Sequence, residues 1–138
     1  MSLVSIFKRR KDKQPKVESV LLAVLFATAR EGLSVDGAYA LRDIISKTSP
    51  LDFYFLNPGS FTVYFRGSDI GKNIAEDLAN ALRRYAAENG IPSFGVAIQE
   101  GECIVAIDSN GRFASLPVGM AIGHAIAAAG KEADAIAR

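Results

Sequence analysis

The feature that most constrains the fold is a pair of aromatic and β-branched runs separated by one tight turn. The runs are Leu51–Leu56 (LDFYFL) and Phe61–Arg66 (FTVYFR), with Asn57-Pro58-Gly59-Ser60 between them. Proline presets φ, glycine supplies a positive φ within a short loop, and both runs carry residues typical of strands. The pattern predicts an antiparallel β-hairpin in the middle of the chain.

Apolar residues at helical spacing lie on both sides of this hairpin. Residues 36–47 carry one apolar stripe and are followed by Pro50, which predicts an amphipathic helix that ends there. A second stripe runs from Ile74 to Tyr85, with Ser68 or Asp69 as the N-cap and Gly90 at the C-terminal end. The hairpin is therefore predicted to have a helix before it and a helix after it.

Residues 17–29 (VESVLLAVLFATA) are almost continuously apolar. Periodicity does not separate a buried strand from a buried helix in such a run. A strand over about Val20–Ala27 is favoured because the sheet needs a partner there.

The stretch 93–130 contains two further apolar runs and a helix rich in small residues. Phe94–Ile98 and Ile104–Ile107 are interpreted as a strand pair joined by Gln99-Glu100-Gly101-Glu102, and the helix runs from about Pro117 to Ala128. The predicted order is β-α-β-β-α-β with one more strand and a C-terminal helix appended. This is an α+β, ferredoxin-like core, an antiparallel sheet with helices on one face.

Length and composition indicate one globular domain. The chain has 138 residues, of which 49% are hydrophobic and 22% charged. We expect residues 17–138 to form a single domain behind a basic, flexible tail at 1–16. No apolar run approaches the ~20 residues that span a bilayer. Cys103 is the only cysteine, so no intrachain disulfide can form, and a reducing, cytoplasmic setting is expected.

The positive charge of the chain is concentrated in its first 16 residues. Six basic residues stand there against Asp12, a net charge of +5, and Leu3, Val4, Ile6 and Phe7 precede them. One interpretation is a peripheral contact with an anionic membrane surface; the other is a solvated terminus. The remaining residues are mildly acidic, which argues against nucleic acid as a partner.

Four segments resemble class III nucleotidyl cyclase catalytic domains. Leu25-Phe26-Ala27-Thr28 resembles that family's first strand, and residues 57–65 resemble its β2–β3 hairpin. Phe94-Gly95-Val96-Ala97-Ile98 with the following Gln99–Glu102, and Val118-Gly119-Met120-Ala121-Ile122-Gly123, resemble two later segments in the same order. The resemblance spans roughly residues 20–130 and implies a cyclase-like fold and a homodimer.

The positions that would carry cyclase chemistry differ from the family pattern. The family holds two metal ions with two aspartates, and the aligned positions here are Thr28 and Ser60, whose neutral hydroxyls are weak ligands for Mg²⁺. The transition-state Asn and Arg of the family fall at Gly123 and Ala127. We therefore assign no catalytic residue, no metal ligand and no cofactor, and cyclase activity is not expected.

The other candidate site residues can each be explained by a purely structural role. Gly67, Gly71 and Lys72 open a predicted helix and form a weak anion-site hypothesis, although the spacing fails the P-loop pattern and an ordinary helix cap explains it. His124 is the only histidine and is interpreted as a helix residue, and Cys103 as a small buried hydrophobe. Glu100, Glu102 and Asp108 are interpreted as solvated turn carboxylates rather than a cation site.

The predicted interface combines aromatic residues of the hairpin with small residues of the last helix: Phe61, Tyr64, Gly119, Gly123 and Ala127. The sequence thus predicts a non-catalytic cyclase-like module for homodimerisation or regulation. Two alternatives stay open, a nucleotide or anion binder using residues 67–73 and a peripheral membrane adaptor using the basic tail.

Overall fold

A computed structural model describes residues 14–136, and the basic residues 1–13 lie outside this range. The described chain folds into four strands and three helices: β1 (Lys16–Ala29), α1 (Val35–Ser46), β2 (Asp52–Asn57), β3 (Ser60–Arg66), α2 (Asp69–Glu88), β4 (Phe94–Ile107) and α3 (Met120–Ile136). The apolar run at 17–29 is therefore a strand. Within residues 14–136, every helix is too short or too polar to cross a bilayer.

The strands form one antiparallel sheet in the order β2-β3-β1-β4. This order and the β-α-β-β-α-β succession confirm the predicted α+β, ferredoxin-like fold. The hairpin is confirmed too, with β2 and β3 joined at Asn57–Ser60, where the Asn57 side chain accepts a hydrogen bond from the Gly59 amide at 2.8 Å. The turn residues and the strand-forming residues both favour a hairpin here, and the observed strand bounds differ from the predicted ones by one residue.

The predicted strand pair at 94–98 and 104–107 is wrong. Residues 94–107 form one 14-residue strand, β4, which pairs with β1 along its whole length from Lys16↔Ile107 to Ala29↔Phe94. Gln99 and Glu102 lie opposite Val24 and Leu21, so pairing with β1 holds this segment extended. The extra strand is therefore absent from the described residues. Within that same range, two isolated bridges, Ile107–Phe113 and Ile104–Val118, continue along the free edge of β4.

The helices do not all lie on one face of the sheet. The two core helices, α1 and α2, cover one face and bury Leu25, Phe61 and Val96 against Leu41 and Leu78. The appended α3 covers the opposite face, over a second apolar cluster that includes Leu22, Val24, Phe26, Tyr64 and Val105. One-face packing therefore holds for the core helices and not for α3, because β1 is apolar on both faces.

Small side chains bring α3 close to the sheet, but they are not the ones predicted. The buried stripe is Ala121, Ala125, Ala129 and Ala133, at i, i+4 spacing. Gly95 of β4 makes the approach possible, since a Cβ there would lie 2.1 Å from the Ala129 carbonyl oxygen. The helix begins at Met120 rather than near Pro117 and continues past Ala128 to Ile136.

Candidate functional site

Two buried hydroxyls meet beside the hairpin turn, where β1 ends and β3 begins. Thr28 and Ser60 are register partners, and their Oγ1 and Oγ atoms lie 3.0 Å apart. Both side chains are more than nine-tenths buried. These are the two residues that the resemblance aligned with the metal-binding aspartates, and the fold brings them together.

A cavity of about 370 Å³ opens over this hydroxyl pair on the α3 side of the sheet. Phe26, Ala127 and Gly130 form part of its wall, and Arg30 and Lys131 bring positive charge to it. Arg30 is held by Asp134, with Nε donating to Oδ1 at 3.1 Å. Its guanidinium also occupies the space that a side chain at position 130 would need.

The donor atoms at this place do not suit a pair of divalent metal ions. Mg²⁺ sites in phosphoryl-transfer proteins include one or two carboxylates, because neutral hydroxyls alone compete poorly with water for the ion. Thr28 and Ser60 are hydrogen-bonded to each other, and Asp134, the acidic residue of the cavity, is paired with Arg30. Across residues 14–136 there is no group of three or more His, Cys, Asp and Glu side chains able to hold a metal ion.

The two other positions aligned with cyclase chemistry lie on the outer side of α3. Gly123 is exposed, with open space where a Cβ would project. Ala127 is exposed too, and it lines the cavity above Thr28 and Ser60. Neither residue carries a hydrogen-bonding side chain. Positions 123 and 127 therefore supply no polar group that could stabilise charge developing on a phosphate.

The candidate anion site at the start of α2 is occupied by internal contacts. The Ser68 hydroxyl caps α2 by accepting from the Gly71 amide at 3.1 Å, and Lys72 Nζ lies 3.3 Å from Glu100 Oε2. A Cβ at Gly71 would fall 2.0 Å from the Arg66 carbonyl oxygen, and one at Gly67 would meet Leu21. Both glycines are thus required by close packing of the chain on itself.

The predicted interface residues separate into buried and exposed groups. Phe61 and Tyr64 are fully buried within the chain, Phe61 stacked on Phe55 with ring centroids 5.0 Å apart. Neither ring offers surface to a second subunit. Gly119 packs against its own β4, where a Cβ would lie 2.9 Å from Cys103 Sγ.

The exposed members of that group, Gly123 and Ala127, lie on α3 near three exposed apolar residues that the predicted interface did not include. These three residues are Val118, Met120 and Ile126, and we call the five residues together the α3 band. The signal was present in the sequence, because positions 120, 123 and 127 share one helix face.

Among the other residues that the sequence analysis considered are one cysteine, one histidine and two glutamates. Cys103 is buried as predicted, and this burial raises the pKa of its thiol, with nearby Glu102 acting in the same direction. His124 is exposed on α3. Glu100 and Glu102 lie in β4 rather than in a turn, and Glu102 accepts a hydrogen bond from the Ser19 hydroxyl at 2.9 Å.

A polar network that sequence reasoning missed ties the hairpin to the segment after β4. Asp52 accepts from the Tyr54 hydroxyl at 2.9 Å and from the Phe113 amide at 3.3 Å, and the Tyr54 hydroxyl oxygen also lies 3.2 Å from the Phe113 carbonyl oxygen. Burial, followed by the hydrogen bond to Asp52, raises the pKa of Tyr54 well above its ordinary range. The network anchors the irregular stretch that leads into α3.

Solved structures of nucleotidyl cyclases share this fold. The crystal structure of the guanylyl cyclase Cya2 matches with a TM-score of 0.57 at 16% identity, covering 86% of this chain and 72% of that one. Two structures of a bacterial light-regulated adenylyl cyclase give TM-scores of 0.55 and 0.52 at 15% and 13% identity. They cover 92% and 91% of this chain, which spans only 45% and 48% of theirs.

These likenesses define the protein as a cyclase-like α+β domain at the level of fold. No protein-family model matches the sequence, and no curated protein matches it. The resemblance inferred from four short segments is confirmed as a shared fold.

Proposed function

We propose that this protein is a non-catalytic cyclase-like module that acts by homodimerisation, in an assembly or regulatory role. The observation that carries the proposal is the buried Thr28–Ser60 hydroxyl pair, 3.0 Å between oxygens, at the place where the resemblance puts two metal-binding aspartates. A hydroxyl pair that satisfies itself offers no negative charge to a metal ion. Without that ion, attack on an α-phosphate lacks its main electrostatic stabilisation.

The direct test of the missing catalysis is a product assay on the full chain. Purified protein is incubated with ATP or GTP and with Mg²⁺ or Mn²⁺, and cyclic nucleotide is measured by mass spectrometry. We expect the product to stay at the level of the protein-free blank, and the melting temperature to be unchanged by any of these nucleotides. Cyclic nucleotide that increases with protein concentration would overturn the non-catalytic assignment.

The surface that supports dimerisation is the α3 band. Met120 is 77% exposed and Val118 67% exposed, and Gly123, three residues after Met120 on α3, has open space where a Cβ would project. Several exposed apolar residues close together mark an interaction site more often than isolated ones do. Glycine and alanine at the centre of the band allow another backbone to approach closely.

A charge placed in the band tests the dimer. We expect the wild-type chain to show a concentration-dependent mass in sedimentation velocity, and Met120→Glu to shift it to the monomer because the carboxylate would have to be desolvated. Ile70→Glu is the matched control, since Ile70 is 74% exposed at the start of α2. A monomeric wild type at all concentrations, or equal loss in both variants, would contradict this interface.

The two alternative functions receive no support from the described residues. An anion site at 67–73 would need a lysine that is instead paired with Glu100. The membrane-contact hypothesis concerns the basic tail, most of which lies outside residues 14–136, and it stays a prediction. Its test is salt-sensitive binding to anionic vesicles that deletion of residues 1–16 abolishes.

A further inference from the structure

A groove runs along the free edge of the sheet, beside β2. The sheet order gives β2 a strand neighbour on one side only within residues 14–136, and α1 lies beside its other side. The space between them has a volume of about 570 Å³. We call it the β2 groove; the residues that matter for its chemistry are Tyr39, Arg42, Asp52, Phe53, Phe55 and Arg112.

The edge strand carries no lysine or proline, two residue types that often protect such an edge, although its ladder to β3 is irregular between Phe55 and Asn57. Native edges are blunted by lysines, prolines or inward-pointing charges, because unpaired N–H and C=O groups are a template for another strand. β2 reads DFYFLN and contains no lysine, arginine or proline. Phe53 and Phe55 are only half-buried on this edge, and Leu56 is exposed. An apolar edge of this kind suits a partner strand.

The charges around the groove select the chemistry of that partner. Arg42 and Arg112 are exposed and form no salt bridge within residues 14–136. The acidic side chain of the groove, Asp52, already accepts hydrogen bonds from the Phe53 amide, the Tyr54 hydroxyl and the Phe113 amide. The groove therefore presents two available guanidinium groups, which favour carboxylates on an incoming chain.

A second copy of this chain does not suit the groove. Two-fold pairing of β2 edges would bring Arg42 and Arg112 of both subunits to one seam, where only the internally bonded Asp52 would offset them. Like charges at a seam oppose association. The β2 groove is thus separate from the α3 band, and binding in the groove does not depend on dimerisation.

We propose that the β2 groove binds an extended, acidic segment of a partner polypeptide, which adds to β2 as a fifth strand. Main-chain hydrogen bonds to the β2 edge hold the segment, as in other strand-addition complexes, while the Phe53 amide stays bonded to Asp52 Oδ1. Alternate apolar side chains of the segment pack on Phe53, Phe55 and Tyr39. Acidic side chains on the segment pair with Arg42 and Arg112.

Selection from a displayed random peptide library tests the proposal without a known partner. The full chain is the bait, and enriched peptides are synthesised and their affinities measured by fluorescence anisotropy. We expect enriched peptides to alternate apolar residues with Asp or Glu, and Arg42→Glu/Arg112→Glu to weaken binding by at least about tenfold. Arg84→Glu is the matched control, because Arg84 is exposed on α2 away from the groove.

A change made in the peptide tests strand addition without disturbing the fold of the protein. N-methylation of alternate peptide residues removes main-chain donors, and one of the two alternating sets should abolish binding. Hydrogen exchange at residues 53–56 should slow when the peptide is bound. Enrichment of basic peptides would overturn the proposal, and so would unchanged binding of both N-methylated peptides. Equal loss of peptide affinity in the Arg84→Glu control would overturn it too. The Arg42→Glu/Arg112→Glu variant should keep the wild-type dimer mass, and loss of that mass would contradict a groove separate from the α3 band.

Discussion

At the scale of single residues, the Thr28–Ser60 contact links the fold to the missing chemistry. Each hydroxyl is buried, and the other is its hydrogen-bond partner at 3.0 Å. Removing one partner leaves the other unsatisfied, so Thr28→Val should lower the free energy of unfolding by about 1 kcal/mol. Thr28→Val/Ser60→Ala should lose less than the sum of the two single variants, because neither orphaned hydroxyl remains. Urea denaturation of the wild type, the two single variants and the double variant measures these free energies of unfolding. Strictly additive losses would show that the hydroxyls do not interact.

The sequence identified these two positions only through the family resemblance. Nothing in the local pattern of Ala27-Thr28-Ala29 or Gly59-Ser60-Phe61 indicates that the hydroxyls meet, because their contact depends on the register of β1 against β3. Register follows from tertiary pairing across 32 positions of the chain. The Asp52–Phe113 bond escaped prediction for the same reason, since it joins residues 61 positions apart.

At the scale of elements, the packing of α3 on β4 requires glycine at position 95 but not at position 123. A Cβ at Gly95 would lie 2.1 Å from the Ala129 carbonyl and 2.5 Å from the Ala133 amide nitrogen, both backbone atoms of α3. Gly95→Ala must therefore push the helix from the sheet, at a cost of about 2 kcal/mol.

Gly123→Ala is the matched variant, since a Cβ there meets no atom within 4 Å. Alanine in a helix interior should stabilise the protein by about 0.5–1 kcal/mol relative to glycine. Thermal and urea unfolding of the two variants should thus move in opposite directions. A neutral Gly95→Ala would mean that α3 does not lie this close to β4.

The elements also show which sequence signals were reliable. The β2–β3 hairpin was predicted because its turn residues and strand residues agree locally. β4 was not, because Gln99-Glu100-Gly101-Glu102 looks like a turn on its own, whereas pairing with Leu21–Val24 keeps it extended. Gly101 is needed there for a different reason, since a Cβ would lie 2.9 Å from the Ala121 Cβ of α3. Long-range packing decided the conformation.

At the scale of the whole molecule, the α3 face of the sheet buries titratable groups that are neutral at pH 7. Burial raises the pKa of Tyr64 above its ordinary 10.0 and that of Cys103 above its ordinary 9.0. The pKa of Tyr54 is raised too, by burial and by its hydrogen bond to Asp52. These groups lie on the α3 face, so their proton binding is coupled to the stability of that half of the molecule.

The raised pKa values predict a loss of stability in alkali with a definite onset. Below about pH 9 the folded and unfolded chains hold these protons equally, and the stability contribution is fully present. As the pH rises past 9 and then 10, the unfolded chain releases protons that the folded chain retains, so the free energy of unfolding falls. Each group can contribute a slope of up to about 1.4 kcal/mol per pH unit until its folded pKa is reached.

Urea denaturation from pH 7 to pH 11 measures this slope, and Tyr64→Phe/Cys103→Ala should flatten it even where the variant is less stable at pH 7. Tyr39→Phe is the matched control, because Tyr39 is 63% exposed on α1, away from the α3 face of the sheet. An unchanged slope in the double variant, or an equal flattening in the control, would place the alkaline transition elsewhere in the molecule. The expected result would show that the two faces of the sheet unfold together. One of them is the face under α3, which the predicted arrangement left without a helix.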